Sequence, residues 1–340
     1  MKYKLLGNTG VLVSELCMGT MTFGGKGIWK SIGQLGQEEV NGLVKTAIDQ
    51  GINFIDTANV YGEGSSEILT GNALKSLGIN RQQIFLATKV RGRVGPGANQ
   101  VGLSRLHILD SVDDSLARLG MKHIDLLYIH GVDPITPLEE TMRGLEEVVR
   151  AGKVRYIGIS NHPAWMVMKA NAIADKMGWT KFVALQNYYT IASRDIEREI
   201  VPMALSEGLA LMPWSPLAGG FLSGKYTRNI QKAGDSRRDV FDFPPVNKEK
   251  AYDIIDLMAE IAVHYNASVA RVALSWMLNK PAVTSIIIGA KRNEQLLDNI
   301  AATKLELSEE DINKLDEISE LLPEYPGWMV ERQAQGRFPE

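Results

Sequence analysis

The chain has 340 residues, 45% hydrophobic and 23% charged, a composition typical of a soluble globular protein. Its formal net charge of −3 gives no reason to expect binding to nucleic acid or to an anionic membrane. Cys17 is the only cysteine, which excludes an intrachain disulfide and a cysteine-rich metal site. Because we find neither a signal peptide nor a run of about 18 apolar residues, we expect a cytoplasmic protein.

Eight short apolar runs have the length of buried strands in a parallel sheet. They occupy residues 15–18, 53–56, 84–89, 124–130, 155–160, 182–186, 209–214 and 284–288. Segments with the apolar spacing of helices separate most of them, at residues 38–50, 106–119, 138–149, 164–177, 251–265 and 271–278. This alternation predicts a (β/α)₈ TIM barrel, because a doubly wound sheet usually has only five or six strands.

Three further segments complete the predicted organisation. Residues 5–13 predict an N-terminal β-hairpin with its turn at residues 8–10. Residues 219–246 form a long irregular loop, and a loop of that length is more often functional than a simple solvated crossover. The tail after Pro323 has no clear periodicity. No linker interrupts the chain, so we expect one domain over residues 1–340.

Four polar residues lie at or just beyond the ends of successive predicted strands. Asp56, Lys89 and His130 each end an apolar run, and Tyr61 follows Asp56 by five positions. In a barrel of this kind, the active site lies at the carboxyl ends of the strands. Hydride transfer to a carbonyl builds negative charge on oxygen, which an acid must neutralise. Tyr61 can be that acid, with Lys89 stabilising the phenolate, Asp56 orienting Lys89, and His130 bonding the carbonyl oxygen.

Each of these residues also has an ordinary structural explanation. Asp56 could cap a following helix. Lys89 could be a solvated surface residue, His130 a satisfied core histidine and Tyr61 an aromatic wall. Taken together these explanations are less plausible, because they require all four side chains to have reached one face of the barrel by chance.

Longer segments around these residues resemble the aldo-keto reductase superfamily over nearly the whole chain. The matching segments are LCMGT at 16–20, GINFIDTANVYG at 51–62, GKVRYIGISN at 152–161, QNYY at 186–189, WSPLAGG at 214–220 and QLLDN at 295–299. Within the superfamily, the chain is more similar to bacterial members and to potassium-channel β subunits than to the aldose-reductase branch. The resemblance implies an NADPH-dependent reductase of aldehydes or ketones, on a (β/α)₈ barrel and without a metal.

The resemblance also implies roles for single residues. It places the catalytic tetrad on Asp56, Tyr61, Lys89 and His130, with Tyr61 as proton donor. Residues implied to hold the nicotinamide amide are Ser160, Asn161 and Gln186. Trp214 matches the aromatic residue that stacks on the nicotinamide ring. Gln295 and Asn299 match contacts to the adenosine end, and Asp298 is a weaker candidate. The remaining cofactor contacts that we expect are Gly19, Thr20, Ser215, Pro216, Leu217, Gly219 and Gly289.

The residues themselves favour NADP over NAD. No Gly-x-Gly-x-x-Gly motif occurs, and the near P-loop at residues 219–226 ends in Tyr226 where Ser or Thr is needed. A helix predicted to begin at Asn293 would offer free backbone N–H groups to a phosphate. Lys291 and Arg292 lie directly before it, which favours a 2′-phosphate. Lys225 and Arg237, or else Arg238, could clasp the pyrophosphate from the long loop.

Two other functions stay open from the sequence. One is a binding module in which NADPH occupancy matters more than turnover. The other is a (β/α)₈ isomerase or aldolase that uses Lys89 as a Schiff base. The sequence does not identify the physiological substrate, although Phe23, Trp29 and Trp328 are candidate pocket walls. It also leaves a homo-oligomer open.

Overall fold

Eight parallel strands surround a common axis in the computed structural model, which describes residues 1–234 and 236–334 and only the backbone of residues 28 and 237. They are β3 (Leu16–Gly19), β4 (Phe54–Asp56), β5 (Phe85–Val90), β6 (Ile124–Ile129), β7 (Val154–Ser160), β8 (Phe182–Tyr188), β9 (Ala210–Trp214) and β10 (Ile286–Ile288). Each strand pairs with the next in sequence up to β9, and β10 pairs with β3. A hydrogen bond of 2.9 Å from the Thr284 amide to the Leu211 carbonyl joins β9 to the last segment. The predicted (β/α)₈ barrel is confirmed.

Helices cover the outside of the barrel. Those predicted by apolar spacing are α1 (Gln37–Asp49), α3 (Arg105–Leu119), α4 (Leu138–Arg150), α5 (Ala164–Met177), α7 (Lys248–His264) and α8 (Val269–Leu278). The helix predicted to begin at Asn293 is α9 (Asn293–Ala301). Four others were not predicted: α2 (Ser65–Ser76), α6 (Ile200–Glu207), α10 (Glu309–Ile318) and α11 (Gly327–Ala334). Helix α2 buries Ser66, Glu67 and Thr70 beside its apolar residues, which obscures its periodicity. No helix within the described ranges is long and apolar enough to cross a bilayer.

An antiparallel hairpin lies before the barrel, as predicted. Its strands are β1 (Tyr3–Leu5) and β2 (Leu12–Ser14). Leu6 and Val13 are fully buried and pack with the residues that fill the inside of the barrel, among them Cys17, Phe54 and Leu126. The hairpin therefore supplies apolar side chains to the barrel interior.

The pleat of the strands determines which side chains reach the active end of the barrel. Side chains two residues apart point to the same side of a strand. Ala87, Tyr128 and Ala184 belong to the apolar interior. The residues two positions further along are Lys89, His130 and Gln186. The same inward-facing rows that fill the barrel with apolar groups therefore end in polar side chains.

Candidate active site

Lys89 lies at the centre of the polar layer. Its side chain is fully buried and forms an ion pair with Asp56 at the end of β4. The ammonium also donates to the Thr57 carbonyl oxygen at 2.8 Å and to the Tyr61 hydroxyl at 3.2 Å. Burial by itself lowers the pKa of Lys89, but the attraction of Asp56 and Tyr61 outweighs it and raises the pKa above the ordinary value. Lys89 is therefore an ammonium at neutral pH, and a solvated surface position is excluded.

Tyr61 reaches Lys89 because the chain turns sharply after β4. A short 3₁₀ turn over Tyr61–Gly64 contains Gly62 at φ 55°, where a β-carbon would lie 2.2 Å from Ser65 Oγ. Only glycine fits that position without displacing the turn. The Tyr61 ring meets the Trp29 ring edge-on at 5.4 Å and the His130 ring at 5.8 Å. The turn therefore holds the phenol between an indole, an imidazole and the ammonium.

His130 is neutral in this environment. Burial, followed by the positive charges of Lys89 and Arg91, lowers its pKa well below the ordinary value for histidine. A neutral imidazole carries one N–H donor and one acceptor nitrogen. It can therefore donate a hydrogen bond to a carbonyl oxygen placed near the Tyr61 hydroxyl, and it adds no second positive charge beside Lys89.

Asp56 is held through both of its carboxylate oxygens. Oδ1 accepts from Lys89, and Oδ2 accepts from Gln186 Nε2 at 2.9 Å. The side chain does not cap a helix, since the next helical turn begins five residues later at Tyr61. Sequence reasoning identified Asp56 and Gln186 separately and missed their contact, which joins residues 130 positions apart.

Asn161, which was predicted to contact nicotinamide, bonds to the Trp214 indole, and Ser160 bonds to Asn161. The Trp214 indole N–H donates to Asn161 Oδ1 at 2.9 Å. Asn161 Nδ2 donates to the His130 carbonyl at 3.1 Å and to Ser160 Oγ at 2.9 Å. The Trp214 ring also packs near Tyr188, with ring centroids 5.0 Å apart, and parallel to Phe243 at 6.1 Å. This fixes a flat indole at the mouth of the barrel. The Phe243 contact had no signal in the sequence.

The segment after β9 forms tight turns next to Trp214. Ser215 Oγ accepts from the Gly219 amide at 2.9 Å, and the Leu217 carbonyl accepts from the Gly220 amide. Pro216 is buried among them, while Lys225 is exposed.

Arg238, one of the arginines proposed to bind the pyrophosphate, is bonded within the protein. The Arg238 guanidinium is buried, donates to the Ala218 carbonyl at 2.6 Å and pairs with Asp242 at 2.8 Å. It therefore ties the long loop to the segment after β9 instead of pointing to solvent. The side chain of Arg237 lies outside the described part of the chain, so the expectation that it binds pyrophosphate stays a prediction.

The predicted cofactor contacts at the ends of β3 and β10 are Gly19, Thr20 and Gly289. Thr20 is fully buried, and its hydroxyl bonds the Asp56 carbonyl at 3.2 Å and Ser66 Oγ at 2.8 Å. Gly19 and Gly289 follow the inward rows of β3 and β10. Thr20 therefore supports the Asp56 backbone and offers little polar surface to a ligand.

Helix α9 begins at Asn293, as predicted, with Arg292 in the N-cap position and no capping side-chain bond. By contrast, Ser104, Asn247, Ser268 and Ser308 cap other helices with their side chains. Gln295 accepts from the Lys291 amide at 3.0 Å, so it fixes the turn before the helix.

Asn299 and Asp298, the other two predicted cofactor contacts on α9, lie in different surroundings. Asn299 is buried, whereas Asp298 pairs with Arg271 at 2.7 Å and accepts from Ser268 Oγ at 2.7 Å. Both carboxylate oxygens of Asp298 are therefore bonded within the protein. Among the candidate pocket walls, Trp29 reaches Tyr61, Phe23 is fully buried, and Trp328 lies in the tail against Tyr325.

Comparison with known proteins gives one family. The sequence model of the Aldo/keto reductase family matches residues 15–320. A versiconal hemiacetal acetate reductase of Aspergillus parasiticus is 36% identical over 335 residues, covering 93% of this chain and 96% of that protein. An uncharacterized oxidoreductase of Bacillus subtilis is 37% identical over 327 residues, covering 94% and 96%. A probable voltage-gated potassium channel subunit beta of Arabidopsis thaliana is 33% identical over 334 residues, covering 96% and 99%.

Proposed function

The chain belongs to the aldo/keto reductase family, and we propose that it reduces the carbonyl of a small aldehyde or ketone with NADPH, using Tyr61 as proton donor. The observation that carries the proposal is the 3.2 Å hydrogen bond from the Lys89 ammonium to the Tyr61 hydroxyl. Lys89 is also paired with Asp56, so a fixed positive charge faces the atom that would lose the proton. Membership of the family supports an oxidoreductase that acts on carbonyl groups.

The residues at the barrel mouth suit a nicotinamide dinucleotide phosphate. The Trp214 indole supplies a flat face next to the polar ends of β7 and β8, which bear Ser160 and Gln186. Beyond the neighbouring strand β10, α9 starts without a side-chain bond from its N-cap residue, next to Lys291 and Arg292. Backbone N–H groups at the start of a helix, together with two cations, suit a phosphate. This combination supports NADPH over NADH.

Four residues of the chain have separate roles in the proposed proton transfer. NADPH, when bound, supplies the hydride. Tyr61 gives its hydroxyl proton to the carbonyl oxygen, and Lys89 stabilises the phenolate that remains. The neutral His130 donates a hydrogen bond to the same oxygen and orients the carbonyl. Asp56 keeps Lys89 charged and directed towards Tyr61.

A Schiff-base reaction at Lys89 is disfavoured by the same geometry. Such a step needs a neutral amine as nucleophile. The raised pKa of Lys89 and its bonds to Asp56 and Thr57 keep it protonated and directed into the protein. An aldolase or isomerase mechanism through Lys89 would have to break this network first.

A regulatory binding role is the second candidate. A relative named as a potassium channel subunit beta aligns with this chain over nearly its whole length. In that case the site would hold NADPH and oxidise it negligibly. Turnover with a reactive aldehyde separates the two functions.

Removing the Tyr61 hydroxyl tests the proposed acid. Tyr61→Phe should lower kcat by about 10²–10⁴-fold, the usual contribution of a general acid, while leaving NADPH affinity nearly unchanged. We would follow NADPH oxidation with a panel of aldehydes, ketones and sugar aldehydes, and NADPH binding by fluorescence. Tyr325→Phe, an exposed tail position, is the matched control. Equal turnover by Tyr61→Phe and the control would refute the assignment.

A further inference from the structure

Gln186 connects the proposed coenzyme pocket to the proton-donating residues. It lies on β8, is 3% exposed, and donates from Nε2 to Asp56 Oδ2 at 2.9 Å. Asp56 binds Lys89 through its other oxygen, and Lys89 reaches Tyr61. A continuous row of contacts therefore runs from Gln186 to the hydroxyl that loses its proton.

We propose that Gln186 is a positioning residue for proton donation, acting through Asp56 and Lys89 on Tyr61. The proposal rests on the function proposed above and adds to the expected contact of Gln186 with nicotinamide. A carboxylate held at one oxygen can rotate about its terminal bond, whereas one held at both oxygens is fixed. With Oδ2 tied to Gln186, Oδ1 stays directed at Lys89.

The position of Lys89 depends on that orientation. Its three neighbours are Asp56 Oδ1, the Thr57 carbonyl and the Tyr61 hydroxyl, and the last is the longest contact at 3.2 Å. If the Asp56 carboxylate turned, the ammonium would follow its strongest partner and leave the phenol. Loss of the Gln186 bond therefore weakens phenolate stabilisation without removing any charged group.

Gln186 lies in a buried, largely apolar part of the barrel interior. The buried phenol of Tyr128 adjoins it inside the barrel. That ring fits because residue 158 is glycine, where a β-carbon would lie 2.5 Å from the ring. A buried amide without a partner is costly, so the Asp56 bond is retained.

A double-mutant cycle tests the coupling. Gln186→Met keeps the length of the side chain and removes its hydrogen bonds, and it would be made with and without Asp56→Asn. Alone, Gln186→Met should lower kcat about 10- to 100-fold, as a displaced catalytic group does. The NADPH dissociation constant, measured by fluorescence, should change far less than kcat. With Asp56→Asn present, Gln186→Met should cause little further loss, because the carboxylate it orients is gone.

Asn187→Ala is the matched control, since Asn187 is the next buried amide on β8 and faces the other side of the strand. It should not reproduce the kcat pattern. Equal kcat losses by Gln186→Met in the two backgrounds would overturn the proposal. So would a loss of NADPH affinity as large as the loss of kcat, since Gln186 would then act only on the coenzyme.

Thermal unfolding of the ligand-free variants separates this inference from the proposed function. If the unaltered protein oxidises no NADPH with any carbonyl, the proposed function fails, and the melting temperatures decide the Asp56–Gln186 link independently. We expect Gln186→Met to lower Tm clearly in the presence of Asp56 and much less in its absence. Equal Tm losses in both backgrounds would overturn the link.

Discussion

Replacing Lys89 by methionine removes the positive charge that contacts the Tyr61 hydroxyl and leaves the buried Asp56 carboxylate without its cation. Methionine has a similar length, so the cavity is small. Two separate losses follow from the geometry, one in rate and one in stability. A second substitution at Asp56 should restore the stability but not the rate.

The rate loss follows from the distance. At 3.2 Å and an effective dielectric of about 20, an ammonium and a phenolate attract by about 5 kcal/mol. If only half of this is realised in the transition state, the barrier rises by about 2.6 kcal/mol, which is roughly 80-fold in rate. We therefore expect kcat to fall by about 10²-fold or more. Removing one partner of a buried pair also costs about 3–5 kcal/mol of unfolding free energy.

The double variant Lys89→Met/Asp56→Asn separates these losses. It removes both charges, so denaturant unfolding should regain most of the lost stability. Turnover, followed as NADPH oxidation at saturating aldehyde, should stay low because the phenolate still lacks its cation. Recovery of kcat together with stability would refute the reasoning, since Lys89 would then act only through folding.

Two further predictions concern the coenzyme phosphate and pH. Neutralising Lys291 and Arg292 together by alanine should weaken NADPH binding more than NADH binding, whereas the same change at the exposed Lys169 and Lys176 on α5 should affect neither; equal losses for both coenzymes would mean that the 2′-phosphate is bound elsewhere. The pKa of His130 is held well below its ordinary value. Below about pH 6.5, His130 therefore takes up a proton in the unfolded chain but stays neutral in the native protein. The unfolding free energy should therefore fall as pH drops below about 6.5, and His130→Gln should reduce that slope by up to about 1.4 kcal/mol per pH unit. Parallel stability curves for the two proteins would contradict a neutral His130 in the native state.

The sequence alone predicted the barrel and the identity of the central residues. Short apolar runs and helical spacing are local patterns, so the eight strands and most outer helices were read with small errors at their ends. The period of two along each strand also places Asp56, Lys89 and His130 on inward-facing rows. Local signals failed for α2, where buried polar residues replace an apolar stripe, and for α11, which buries no side chain.

What only the tertiary structure decided is how these residues bond to one another. Gln186 donates to Asp56 across 130 positions of the chain, and Trp214 donates to Asn161 across 53. Arg238, a candidate phosphate ligand by charge, is buried against Ala218 and Asp242. Side-chain types follow from local sequence, but a hydrogen bond depends on the relative position of two strands to within a few tenths of an ångström. That position is set by the packing of the whole barrel.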